Sequence, residues 1–80
     1  MSQDTDNAAI ADQGSDHGAG VGMLLRASRE HLGEDLRSVA SILHIRFIYL
    51  EAIEEGRFDD LPGTAYVIGF IRSYSEYLGL

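Results

Sequence analysis

Gly33, Gly56 and the Pro62-Gly63 pair cut residues 21–80 into pieces too short for anything but short helices. Each piece carries apolar residues at helical spacing, and none alternates as a half-buried strand does. The first piece predicts a helix from Val21 to Leu32, with Val21, Leu25, Ser28 and Leu32 inward, Leu24 at the margin, and Gly33 as its left-handed stop. Asp35 is placed to cap a second helix through Leu36, Val39, Ala40 and Leu43. His44 and Ile45 then make a tight connection to a third, Arg46 to about Glu55, with Leu50 and Ile53 inward. Phe58 and Leu61 close the bottom of the core, and a long helix follows Gly63. The expectation is an all-α domain, a compact bundle of four to five short helices.

Composition decides where this domain begins. Residues 1–20 hold four Asp, no Lys or Arg, and Ile10 as the single large aliphatic. Such a stretch cannot bury enough apolar surface to offset its ordering entropy, so it reads as a disordered acidic tail ahead of the domain at 21–80. It has neither the basic start nor the apolar run of a signal peptide, and no window reaches transmembrane length. The chain has no cysteine, so no disulfide staples it, which fits a reducing compartment. Of the net charge of −7, the tail contributes −4; six Arg and nine acids leave −3 for the domain. That balance argues against binding by neutralising phosphates.

The last helix has one stripe more than it needs. Val67, Ile71, Tyr74 and Leu78 fall at i, i+4, i+7, i+11, enough to dock it on a small core. Tyr66, Phe70, Ser73 and Tyr77 repeat the spacing about 100° around the axis. This second, ring-rich stripe calls for a partner, and Tyr66, Phe70, Tyr77 and Arg72 are the candidate partner-binding residues. Core packing is the plainer reading for Tyr66 and Phe70. Tyr74 and Tyr77 read as half-buried rings with wet hydroxyls, Tyr77 being the better placed for contact. Arg72 has Glu76 at i+4 as a local alternative to an acidic partner. Gly69, mid-helix, reads as a point where a neighbouring helix comes close. Thr64 can accept a bond from a free N–H of the first turn.

Two short helices joined by a tight turn after a supporting helix form a helix-turn-helix unit. The spacing Arg29, Gly33, Ala40, Ile45, Leu50, Ile53-Glu54, Gly56 resembles the Cro/CI-type domains of phage repressors. That resemblance implies a structural ion pair between Arg29 and Glu54. It also carries the phosphate-contacting Gln position of such proteins onto Leu36 and their base-reading positions onto Phe47, Ile48 and Ala52, none of which donates a hydrogen bond to a base edge. Glu51, Glu54 and Glu55 surround them, and only Arg37 and Arg46 are cations nearby. A DNA-binding transcription regulator, using Arg37, Arg46, Phe47 and Ile48, is therefore the alternative and not the first reading.

Three segments together resemble the N-terminal cytoplasmic domain of the RodZ family of bacterial cell-shape proteins. They are Val21-Gly22 with Leu25-Arg26 and Arg29-Glu30; Ile45-Arg46, Tyr49 through Gly56 and Phe58-Asp59; and Leu61-Pro62-Gly63, Tyr66, and Gly69 through Tyr74. The resemblance covers 21–80 and none of the tail. It implies a cytoplasmic, non-catalytic module that binds the actin-like filament protein MreB. It further implies a position at the inner face of the inner membrane, through a basic segment and a transmembrane helix beyond Leu80. By the same resemblance, Tyr66 and Phe70 grip the filament. Met23-Leu24 departs from the family pattern, where polar or charged residues are usual.

No catalytic or metal chemistry is expected. His17, His31 and His44 lack ligand spacing. Asp59-Asp60 and Glu54-Glu55 read as solvated faces and helix ends, since a desolvated cleft is needed to tune two carboxyls apart. The glycines at 14, 18, 20 and 22 follow no strand, so they make no phosphate loop, and no cofactor is implied.

Overall fold

In a computed structural model of the protein, residues 20–80 are described. The acidic stretch lies outside them except for Gly20, which is helical and not part of a tail. Helix α1 covers 20–31 of the described residues. It is followed by α2 (Leu36–Leu43), α3 (Phe47–Glu54), a 3-10 turn (Phe58–Asp60) and α4 (Thr64–Leu78). The described residues form no strand, and α2, the tight connection at 44–46 and α3 make the helix-turn-helix unit between α1 and α4.

All four helices stop in the same way. The N–H groups of the two residues past the last turn fold back onto carbonyls inside it, as in Gly33 to Glu30 at 3.0 Å and Glu34 to Arg29 at 3.0 Å. The residue making this reversal takes a left-handed conformation, and three times it is a glycine. The exception is His44, with φ 58 and ψ 38, in the turn between α2 and α3. That turn delivers Ile45 into the core, with its N–H on the Ala40 carbonyl at 3.0 Å. At the other end of α2, Asp35 caps by accepting from the Ser38 N–H at 3.1 Å.

The core is Leu25 from α1, Leu36, Val39 and Ala40 from α2, Leu50, Ala52 and Ile53 from α3, and Tyr74 and Leu78 from α4, closed by Ile45 and Leu61. Phe58 packs against it from the 3-10 turn. Several expectations need correction. Val21 and Leu32 stay outside, at 38% and 53% exposure, because the face of α1 turned to α3 is centred on Gly22 and Leu25. Gly22 is where two backbones meet. A Cβ there would sit 2.7 Å from the Glu54 carbonyl carbon, so only glycine lets α1 lie against the end of α3. Thr64 caps nothing: it is the first helical residue of α4, and Gly63 holds the capping position without a side-chain bond. Arg46 likewise precedes α3 as its cap, with no side-chain bond.

Candidate interaction site

Glu54 ends α3, and its carboxylate is buried among three helices. Arg29 from α1 meets it with a fork, Nε donating to Oε2 at 2.7 Å and Nη2 to Oε1 at 3.1 Å. The Arg29 Nη1 donates to the Glu34 carbonyl at 3.0 Å. Tyr74 from α4 donates its hydroxyl to the same Oε2 of Glu54. Tyr74 is thus not a half-buried ring with a wet hydroxyl; it is fully enclosed. Nor is Glu54 part of a solvated carboxylate pair. The Glu54 hydrogen bond raises the Arg29 pKa further above its ordinary value, the carboxylate's charge adding to the effect and burial opposing it. Burial first, and the bond to Glu54 second, push the Tyr74 phenol above the ordinary tyrosine value. This network fixes the rotation of α4 about its axis. A second tie does the same further along, where the Tyr77 hydroxyl donates to Glu34 Oε1 at 2.9 Å.

With Tyr74 and Leu78 turned inward, the other stripe of α4 lies at the surface, with Phe70 and Tyr77 packed half-buried against the edge of the core. Tyr66 is 54% exposed and Phe70 half-buried, with ring centroids 5.7 Å apart and planes tilted by 51°. Behind them stands Tyr49 of α3, stacked on Phe70 at 5.8 Å with planes 20° apart. The candidate residues thus come together unevenly. Tyr66 and Phe70 form one patch, Tyr77 is half-buried on the same stripe with its hydroxyl engaged, and Arg72 is exposed. Among the described residues Arg72 makes no ion pair, with Glu76 or any other acid.

Tyr49 escaped the sequence reading of the stripe. A signal was there: α3 is apolar almost all round, with Phe47, Ile48, Tyr49, Leu50, Ala52 and Ile53 in eight residues. A helix of that kind has contacts on more than one side. Gly69 needs correction too, because a Cβ there meets nothing within 4 Å. No neighbouring helix comes close to it, and its cost of roughly 1 kcal/mol relative to alanine is left without an internal reason.

The face that reads DNA in repressors is different in character. Ala52 and Leu36 are buried, so neither reaches a ligand. Phe47 is half-buried under the Arg37 guanidinium, which lies 4.0 Å from the ring centroid. Ile48 is 56% exposed, and Arg46 is exposed at the start of α3. Asp59 and Asp60 are exposed, Asp60 being paired with Arg57.

The profile of the helix-turn-helix domain family matches residues 24–80, which takes in part of α1 and everything after it. The chain is also similar to an uncharacterized membrane protein of Bacillus subtilis (strain 168), YmfM, with 53% identity over 32 residues. That segment is 40% of this chain and 11% of the Bacillus protein. No solved structure matches the chain at a significant level. No helix among the described residues is long and apolar enough to cross a membrane. By its match along most of its length, and by the α2–turn–α3 unit it folds into, the chain belongs to the helix-turn-helix domain family.

Proposed function

We propose that this domain is a non-catalytic protein-interaction module that binds an actin-like MreB filament through α4 and works in bacterial cell-shape control as the cytoplasmic part of a membrane-anchored protein. The observation that carries the reading is the patch of Tyr66 and Phe70 backed by Tyr49, rings held outward by the inward anchoring of Tyr74. Aromatic side chains of this kind supply large contact area at small entropic cost, and they dominate interface energetics. The resemblance of the Leu61-Pro62-Gly63 and Gly69 to Tyr74 segments to the RodZ family supports the choice of filament. The membrane protein YmfM, similar over a short segment, supports a membrane-side position.

The test is co-pelleting of the chain with polymerised MreB. Tyr66→Ala and Phe70→Ala should each weaken binding at least thirtyfold, the equivalent of about 2 kcal/mol at an interface centre. Helical circular dichroism should remain. Equal co-pelleting of wild type and variants would sink the reading.

A DNA-binding regulator is the second reading, favoured by Arg46 and the Arg37–Phe47 pair at the entrance of α3. It requires duplex affinity at physiological salt that falls steeply as salt rises, and that Arg37→Ala and Arg46→Ala each reduce.

A further inference from the structure

The two glycines of the RodZ-like segments that lie inside helices have opposite surroundings. Gly22 is buried where only a hydrogen fits, so the fold accounts for it. Gly69 is exposed in the middle of α4, where a Cβ meets no atom within 4 Å. It is not among the glycines with positive φ, so its backbone conformation is open to any residue. An internal glycine weakens a helix relative to alanine. Nothing inside the domain requires Gly69.

Its position on α4 supplies a reason. Tyr66, Gly69, Phe70 and Ser73 fall at i, i+3, i+4 and i+7, the spacing of one continuous helix face. Gly69 is therefore a gap along the edge of the ring stripe, beside Tyr66 and Ser73 and on the side away from Phe70. One turn on, at i+3 from Gly69, stands Arg72, exposed and without an ion pair among the described residues. We infer that Gly69 is a contact residue of the docking face. Its missing Cβ lets partner backbone reach the surface of α4 beside the Tyr66 ring, and Arg72 meets a carboxylate of the same partner. The occupant is a protein surface with an apolar recess and an acid beside it. A single cation is far short of what a phosphate backbone or an anionic bilayer recruits, whereas two packed rings beside a notch give a shape that a folded protein can complement.

This inference rests on the filament reading, and one experiment separates their failures. Wild type, Tyr66→Ala, Gly69→Ala and Gly69→Gln of the whole 80-residue chain are compared by thermal melting and by co-pelleting with polymerised MreB. Gly69→Ala should raise Tm by about 4–8 °C, the shift of a small domain freed of one helix-interior glycine. Its co-pelleting affinity should nevertheless fall at least tenfold, and that of Gly69→Gln further. If Tyr66→Ala loses binding while both Gly69 variants bind like wild type, the inference is overturned and the filament reading stands. If wild type fails to pellet, or Tyr66→Ala pellets equally, both fall. A lower Tm for Gly69→Ala overturns the inference alone, because the glycine then serves the fold.

Discussion

The hydroxyl of Tyr74 on α4 donates to Glu54 at the end of α3, and the carboxylate that receives it is also held by the Arg29 fork from α1. Three helices thereby share one buried anion. A buried charge is tolerated only while its partners remain, so the arrangement specifies register more than it adds stability.

Removing one member alone should therefore be severe. Glu54→Gln leaves Arg29 only the exposed Glu30, 4.0 Å away, as counter-charge, and Arg29→Met leaves Glu54 buried with the phenol as its remaining partner. Each should cost about 3–5 kcal/mol, comparable with the whole stability of so small a domain. Urea unfolding followed by circular dichroism should find both largely unfolded. The combined Arg29→Met, Glu54→Leu, Tyr74→Phe variant should recover most of the loss, since only the carbonyl of the partly exposed Glu34 then loses a donor.

Alkaline stability should depend on Tyr74. Its folded pKa is raised, by burial first and by the bond to Glu54 second. A raised pKa means that the unfolded chain loses the proton first. The stabilisation is complete below the ordinary tyrosine value of about 10 and declines as pH rises past it towards the higher folded value. The slope from this one group is about 1.4 kcal/mol per pH unit. Urea midpoints measured between pH 9 and 12 should fall for wild type, and should fall less steeply for Tyr74→Phe.

Gly22→Ala is expected to destabilise the domain by about 2 kcal/mol, because the new methyl meets backbone of α3 that cannot turn aside. The gain in helix propensity, roughly 1 kcal/mol, does not offset a displacement of α1. A lower urea midpoint at unchanged helicity checks it. A stability equal to wild type would mean that α1 slides past Glu54 without strain.

The two rings of the patch should separate in stability even if both matter for binding. Tyr66 is more than half exposed, so Tyr66→Ala should shift unfolding by no more than about 0.5 kcal/mol. Phe70 is half-buried, stacked on Tyr49 and packed on the core, so Phe70→Ala should cost about 1–2 kcal/mol, less than truncating a fully buried ring. Chemical denaturation of the two variants side by side measures the difference.

Helix number, the breaks at Gly33, Gly56 and Pro62-Gly63, the Asp35 cap and the inward positions Leu25, Val39, Leu50 and Ile53 were all readable from the chain alone. These features depend on neighbours within a turn or two, so spacing and residue type suffice. The doubled stripe of α4 was equally visible, with Tyr74 on the docking side and Tyr66 and Phe70 on the other, but not how deep each ring would sit. That was decided by Glu54, whose buried carboxylate draws the Tyr74 hydroxyl fully inward, leaving Tyr66 exposed and Phe70 half-buried on Tyr49 at the edge of the core. The roles of the two glycines were likewise beyond local reading, which assigned close approach to Gly69, whereas the meeting of backbones is at Gly22. Tyr49 joined the patch only because α3 and α4 cross beside it. Periodicity reports which face of a helix is apolar; which apolar face is covered depends on contacts between residues twenty or more positions apart, and those exist only once the chain has folded.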